Sequence, residues 1–317
     1  MEIGTTLKRD KRMLKRSTKR LLFAILMVIV PVVQFLIFYV YVNFNSFILA
    51  FQDYQVNYES LGYTVSFAGI KHFKAAWEII ASPHGLSMIG SSLILYGCNL
   101  VIVMGLALVF SYYIAKQFPM SGFFRVILYL PHIVSGVVLA ILYRYLTEDV
   151  YMSMIFSATG VKPNGGLLTS ADTQYYTVLF YNVWIGFGTN VMLFTNAMSG
   201  INSSVLESAK LDGVNIVQEF FYIYIPMIFP TFTTFVVMGI AGIFNNQMNM
   251  FSFFGNKTTH FDVFGFYLYR EAGRAGLANT NITYSTLAAL GLIITLVVAP
   301  TSLGVRKLFE KFGPSVD

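Results

Sequence analysis

Of 317 residues, 56% are hydrophobic, 16% aromatic and only 11% charged, with a formal net charge of +6. Soluble domains carry roughly 25% charged residues, so this chain lacks the polar side chains to cover a globular surface in water and reads as a membrane protein. The single cysteine, Cys98, excludes an internal disulfide.

The chain opens on a basic stretch, KRDKRMLKRSTKR, with eight Lys or Arg before residue 21. A basic arm can serve nucleic acid, but this one abuts an apolar run. Membrane topology and lipid contact explain it, and no nucleic-acid partner is expected. The apolar run is too long for a secretory leader and no small-residue cleavage pattern follows, so it is expected to remain as an uncleaved first span. No Lys, Arg, Asp or Glu occurs in 21–52, 79–115, 126–143, 173–206, 220–256 or 275–305. A helix needs roughly 20 apolar residues to cross the hydrocarbon core. The windows are continuous rather than alternating, which favours helices over a barrel. Spans are expected near 21–42, 88–111, 125–146, 176–199, 222–246 and 283–305, which makes an all-α membrane protein with six transmembrane helices. The organisation is a basic tail (1–20), a membrane domain (21–305) and a short C-terminal tail (306–317).

Charge orients these spans. With the N-terminus inside, the inner segments hold the eight basic residues of the tail together with Lys116, Arg125, Lys210, Arg306, Lys307 and Lys311. That is the majority of the 21 Lys and Arg, so both termini are expected in the cytoplasm. The longer outer segments are then about 43–87, 147–175 and 247–282, and the first, rich in aromatic and β-branched residues, reads as ordered.

Nothing resembles an enzyme active site. There is no GxxxxGK[ST] phosphate loop; GNKTT at 255–259 lacks the upstream glycine. His72, His84, His132 and His260 are scattered without metal-ligand spacing. His132, after Pro131 in the third span, reads as a packing or pore-facing group. No carboxylate lies inside a span to relay protons, which weighs against a proton-coupled transporter.

The informative stretch is ESAKLDGVNIVQEFFYIYIPMIFP, Glu207 to Pro230, a charged insert between the fourth and fifth apolar windows. It reads as two short helices. Ser204 can cap the first, with Glu207 three residues on completing a capping box. Gly213 suits a left-handed end, and Asn215 with Gln218 suits a second start. Pro226 and Pro230 then predict a bend at the start of span five. The pattern Glu207, Ala209, Asp212, Gly213, Phe220, Ile223, Pro226 and Pro230 resembles the EAA signature of permease subunits of binding-protein-dependent ABC importers. Ser208 replaces the usual second alanine and Ile225 the usual leucine. YLPHIVSGVVLAILYRYL at 129–146 and FNSFILAFQDYQ at 44–55 are similar to the carbohydrate, maltose-type branch.

The resemblance implies a type I ABC importer permease fold and a coupling helix, about 203–213, seated in a cleft of a separate ATPase. Ser204, Glu207, Ala209, Asp212 and Gly213 would form the contact, with Glu207 anchoring it, Ala209 permitting close approach and Gly213 the turn. It implies as partners a second homologous permease, two ATP-binding subunits and an extracytoplasmic solute-binding protein in a prokaryotic cell membrane. ATP and Mg belong to the ATPase, and this chain carries no cofactor, metal or catalytic residue. Helical spacing puts Asn182, Gly186, Thr189 and Asn190 on one face of span four, and Gly242, Asn245, Asn246 and Asn249 on one face of span five. By resemblance Asn182, Gly186, Thr189 (where an aromatic would be expected), Phe244, Asn245 and Asn246 line a path for sugar, joined by Asn190 from the same face of span four; helix packing is the competing role for such residues. With Arg125 and Arg144, at the ends of span three, the only Lys or Arg within the spans, a neutral sugar is favoured over a phosphoester. The alternatives are a permease for a glycerol phosphoester or polyamine, and a channel-like membrane protein.

Overall fold

The computed structural model describes residues 3–57, 62–257, 259–275 and 282–314, with side chains for 18–53 and for the described residues from 64 onward. Residues 1–2, 58–61, 258, 276–281 and 315–317, which belong to the expected tails, outer loops and GNKTT segment, lie outside that description. The basic tail is helical from Ile3 and runs without interruption into the first span. That span covers Thr18–Leu49 and includes a π-helical turn at Leu36–Tyr41. None of its apolar window is buried inside the chain.

A two-stranded antiparallel hairpin follows, Gln52–Asn57 with Gly62–Phe67, registered Gln52 to Phe67. It leads into the helix Lys71–Ala81, so regular structure occupies the described residues of the first loop on both sides of 58–61. Ser82 then caps the second span. Its Oγ accepts the Gly85 N–H at 3.0 Å and Pro83 takes the first helical position, where a missing N–H costs nothing. The span runs Pro83–Ala115 with a π-helical turn at Asn99–Met104.

The third span is not the single helix expected. It is a pair, Ser121–Ile133 and Gly136–Thr159, bent by 96°. Val134 and Ser135 between them are extended. Pro131 withholds one backbone donor just before this break, and a window average of hydropathy does not register two extended residues. Span four is the unbroken helix Ala171–Ser199, span five Ile216–Gly242 and span six Tyr284–Phe312. A π-helical turn lies at Phe220–Tyr224, ahead of the prolines, and the helix continues through Pro226 and Pro230, where the bend was expected. Span five ends four residues before the expected 246.

The parity of crossings follows from one contact. Lys116, at the end of span two, bonds Glu219, at the start of span five, at 2.8 Å. These ends therefore share a face, although the bent pair and span four lie between them. Since span four crosses, the bent pair must cross too, giving six crossings and placing the insert on the N-terminal side.

Three clusters form the interior. One near the insert joins Tyr112, Phe194, Met198, Tyr224 and Ile228. A second, at the opposite end of spans two to four, joins Leu95, Ala140, Tyr181, Met250 and Phe253. The third packs Ala76 and Met88 against Phe264 and Leu290. Helices approach closely at small residues. A Cβ on Gly188 of span four would overlap the Leu128 carbonyl of the first arm of the bent pair, and one on Gly239 would lie 2.8 Å from the Tyr96 ring.

Candidate functional site: the insert and the polar faces above it

The insert folds as two capped helices, and its start differs from the sequence reading. Asn202, not Ser204, is the cap of the helix Ser203–Leu211: its Oδ1 accepts the Ser204 N–H at 3.1 Å. Asparagine caps at least as well as serine, and the extended backbone needed for a cap falls at residue 202. Ser204 is inside the helix, its carbonyl accepting from the Ser208 hydroxyl at 2.9 Å. Glu207 consequently makes no capping box; it is exposed and has no partner among the described residues.

The helix closes as expected. Gly213 has φ +73°. The Val214 N–H reaches the Ala209 carbonyl at 3.1 Å and the Gly213 N–H reaches that of Lys210 at 3.2 Å, the paired bonds of a Schellman end. Asp212 is exposed at the cap position. Asn215 and Gln218 exchange bonds of 2.9 and 3.0 Å in a complete capping box.

Ala209 is 7% exposed, so its small side chain is already covered within this chain. Apolar residues stand exposed among the insert's polar ones: Leu211 is 89% exposed, and Val205, Ile216 and Val217 are exposed as well. A cluster of this kind on a short polar segment marks a surface made to be covered.

Sequence reasoning missed the feature that fixes the insert to the membrane domain. Glu219 is 6% exposed. The Lys116 Nζ donates to both of its oxygens at 2.8 Å, and the Tyr112 hydroxyl lies 3.0 Å from Oε2 and 3.2 Å from the Ile216 carbonyl. Charge flanking two apolar windows was its only sequence signal, and 103 residues separate the partners.

The polar residues of span four divide between two jobs. Asn182 is buried, with Nδ2 donating to the Val178 and Met248 carbonyls at 2.9 Å and Oδ1 accepting from Asn249 at 3.0 Å. Its amide is engaged in tying span four to the turn that follows span five. Thr189 lies 2.7 Å from His132 Nε2, which also meets the Ile185 carbonyl at 3.0 Å, so span four is stitched to the break in span three. Asn190 bonds back to the Gly186 carbonyl at 2.8 Å, and Gly186 faces Asn99 and Val103 of span two.

The expected polar face of span five does not form. The helix stops at Gly242, turns follow, and Met248 and Asn249 have φ +51° and +58°. Asn245 and Asn246 are exposed in that turn, where Asn246 Oδ1 accepts the Met248 N–H at 2.8 Å. Phe244 instead packs edge-on to Phe264, 6.0 Å between centroids. Once the helix ends, helical spacing no longer decides which residues share a face. Among the described residues, no cluster of His, Cys, Asp or Glu could hold a metal ion.

No family model matches the chain. Its structure does match solved ones. It superposes with TM-score 0.74 and 22% identity, over 94% of this chain and 99% of the other, on a bacterial ABC transporter involved in import of the acidic polysaccharide alginate. The alginate ABC transporter in complex with an alginate pentasaccharide-bound periplasmic protein gives TM-score 0.70 at 20% identity, over 93% and 96%. The fold is that of an ABC importer permease. Sequence relatives agree along the length of the permease. The multiple sugar-binding transport system permease protein MsmF of Streptococcus mutans is 22% identical over 90% of this chain and 94% of its own. The arabinooligosaccharides transport system permease AraP of Bacillus subtilis is 23% identical over 89% and 86%. The polygalacturonan/rhamnogalacturonan transport system permease YteP of Bacillus subtilis is 24% identical over 96% and 92%. The resemblance read at Glu207–Pro230 is thus shared by the whole chain.

Proposed function

We propose that this chain is the multi-pass permease subunit of an ATP-driven ABC importer that moves a sugar or oligosaccharide into the cell. The observation that carries it is the insert: a helix capped at Asn202, closed at Gly213 and locked to spans two and five through Lys116 and Glu219, with uncovered Leu211 at its tip. A load applied to that tip moves the spans rather than melting the loop. The insert face is cytoplasmic, with both termini, and the ATPase docks there. ATP and Mg bind on that ATPase, two copies of it, and this chain performs no hydrolysis. The first span, unburied along its apolar window, packs against a second permease. The opposite face receives an extracytoplasmic solute-binding protein; the similar alginate transporter was solved in complex with an alginate-bound periplasmic protein.

The test is purification of the chain from its own membrane in mild detergent, with identification of what accompanies it by mass spectrometry. A second six-span permease and a P-loop ATPase are expected. Recovery of the chain alone, as a stable homo-oligomer in several detergents, would overturn the reading in favour of a channel.

A further inference from the structure

On the face opposite the insert, the second arm of the bent pair, the start of span four and the loop after the helix Met250–Phe254 enclose a cavity of about 240 Å3. Arg144, Lys257 and His260 line it, with Glu148, Gln174 and Phe254. Glu148 is already occupied. Its Oε1 accepts the Leu168 N–H and its Oε2 the Thr169 hydroxyl, both at 2.8 Å. Gln174 is occupied too, donating to the Leu168 carbonyl at 2.7 Å and accepting the His260 N–H at 2.9 Å. The wall is therefore held rigid by its own hydrogen bonds.

The two strong cations are not held. Among the described residues, Arg144 and Lys257 have neither an ion pair nor a hydrogen-bond partner for their side chains. Arginines elsewhere on this face are treated differently. Arg270 is clamped by Asp262 at 2.8 Å and by Glu271 at 3.2 Å. Arg144 and Lys257 are both exposed to solvent on a concave site whose other polar walls are satisfied and which the Phe254 ring also lines, an arrangement that suits an anion with an apolar face. Its volume falls just under the roughly 300–1,000 Å3 of pockets for drug-sized ligands, the scale of one sugar ring.

We infer that this cavity is an entrance subsite for a uronate residue, a sugar ring bearing a carboxylate, within an acidic oligosaccharide. The planar Arg144 fork matches a carboxylate in bidentate geometry. Lys257 adds a point charge, and Phe254 supplies an apolar surface for the ring. The proposal rests on the importer reading and sharpens it, since charge-free spans alone favoured a neutral sugar. The cations that reverse this preference come from a span end and a loop, where water solvates them before the ligand arrives.

The experiment uses the complex purified with its partner subunits, in lipid nanodiscs and without the solute-binding protein, so that only the membrane component selects. Trimers of galacturonate and mannuronate are titrated against neutral galactotriose by calorimetry. Binding of at least one acidic trimer, with little for the neutral one, is expected. Arg144→Gln or Lys257→Gln should each weaken acidic binding about tenfold, as loss of one charge-assisted contact does, and added salt should weaken it further. Equal binding of acidic and neutral trimers, or an affinity unchanged in the double variant, would overturn the subsite. So would a double variant that binds every trimer normally but docks the solute-binding protein poorly, which would assign the cations to a protein contact. A preparation that lacks an ATPase and transports neither sugar defeats the importer reading itself, and is recognised before any variant is made.

Discussion

Gly213 sits at φ +73°, and a Cβ added there would meet no atom within 4 Å, so substitution carries a backbone cost and no steric one. Gly213→Val should cost about 1–2 kcal/mol, the penalty of a side chain in the left-handed region, and should splay the insert. Leu211→Asp should leave stability within about 0.5 kcal/mol, as exposed surface changes do, yet abolish ATPase association. A pull-down beside a detergent melting curve separates the two; a Leu211→Asp complex that assembles normally would remove the insert tip from the interface. His72 provides a pH test on the other face. Burial holds its imidazole below the ordinary 6.5, Asp53 opposing and Lys71 adding to the effect. Its Nδ1 lies 3.1 Å from the Thr286 hydroxyl of span six. Because the folded value is depressed, the opened state takes up a proton first. The packing of the Lys71–Ala81 helix is fully stable above pH 6.5 and weakens as pH falls below it. Hydrogen exchange of that helix should quicken between about pH 7 and pH 5.5, and His72→Gln should flatten the dependence.

Between elements, the Lys116–Glu219 pair ties the second helix of the insert to the end of span two. Lys116→Met leaves a carboxylate buried with Tyr112 as its remaining side-chain donor. Such an unpaired charge costs up to about 3–5 kcal/mol, with the lower end expected because the Lys116 side chain is 18% exposed. Lys116→Met with Glu219→Leu should recover most of that stability while loosening the strut, so the double variant should hydrolyse ATP with less transport per ATP. Tight coupling in a stable double variant would show that the pair only stabilises the fold. The insert's helices were legible because caps and Schellman ends are chemistry between residues two to five apart. The choice between Asn202 and Ser204 was not, since it depends on where the backbone leaves the extended region. The bent third span was visible only as Pro131; its 96° angle is set by the packing of both arms.

For the whole molecule, the first span is the surface that tests the proposed pairing with a second permease. Phe38 is 71% exposed in the chain alone, whereas the end of the same span, Val42–Leu49, packs against span six. A Phe38→Cys variant should crosslink to the second permease in native membranes, and co-expression of that partner should raise the melting temperature. Crosslinks only between copies of this chain would point to a homo-oligomer.

The sequence by itself determined the membrane class, five of the six spans to within about seven residues at either end, the insert's place, its close at Gly213 and its second start at Asn215. These depend on composition and short-range chemistry, because a bilayer demands long charge-free helices and a cap needs only its neighbours. The tertiary structure decided the break in span three, the early end of span five, the burial of Ala209 and the engagement of Asn182 with Met248. It also brought Lys116 to Glu219, and Arg144 to Lys257 around one cavity. Each of these joins residues remote in the chain, whose encounter depends on how helices cross and where they stop.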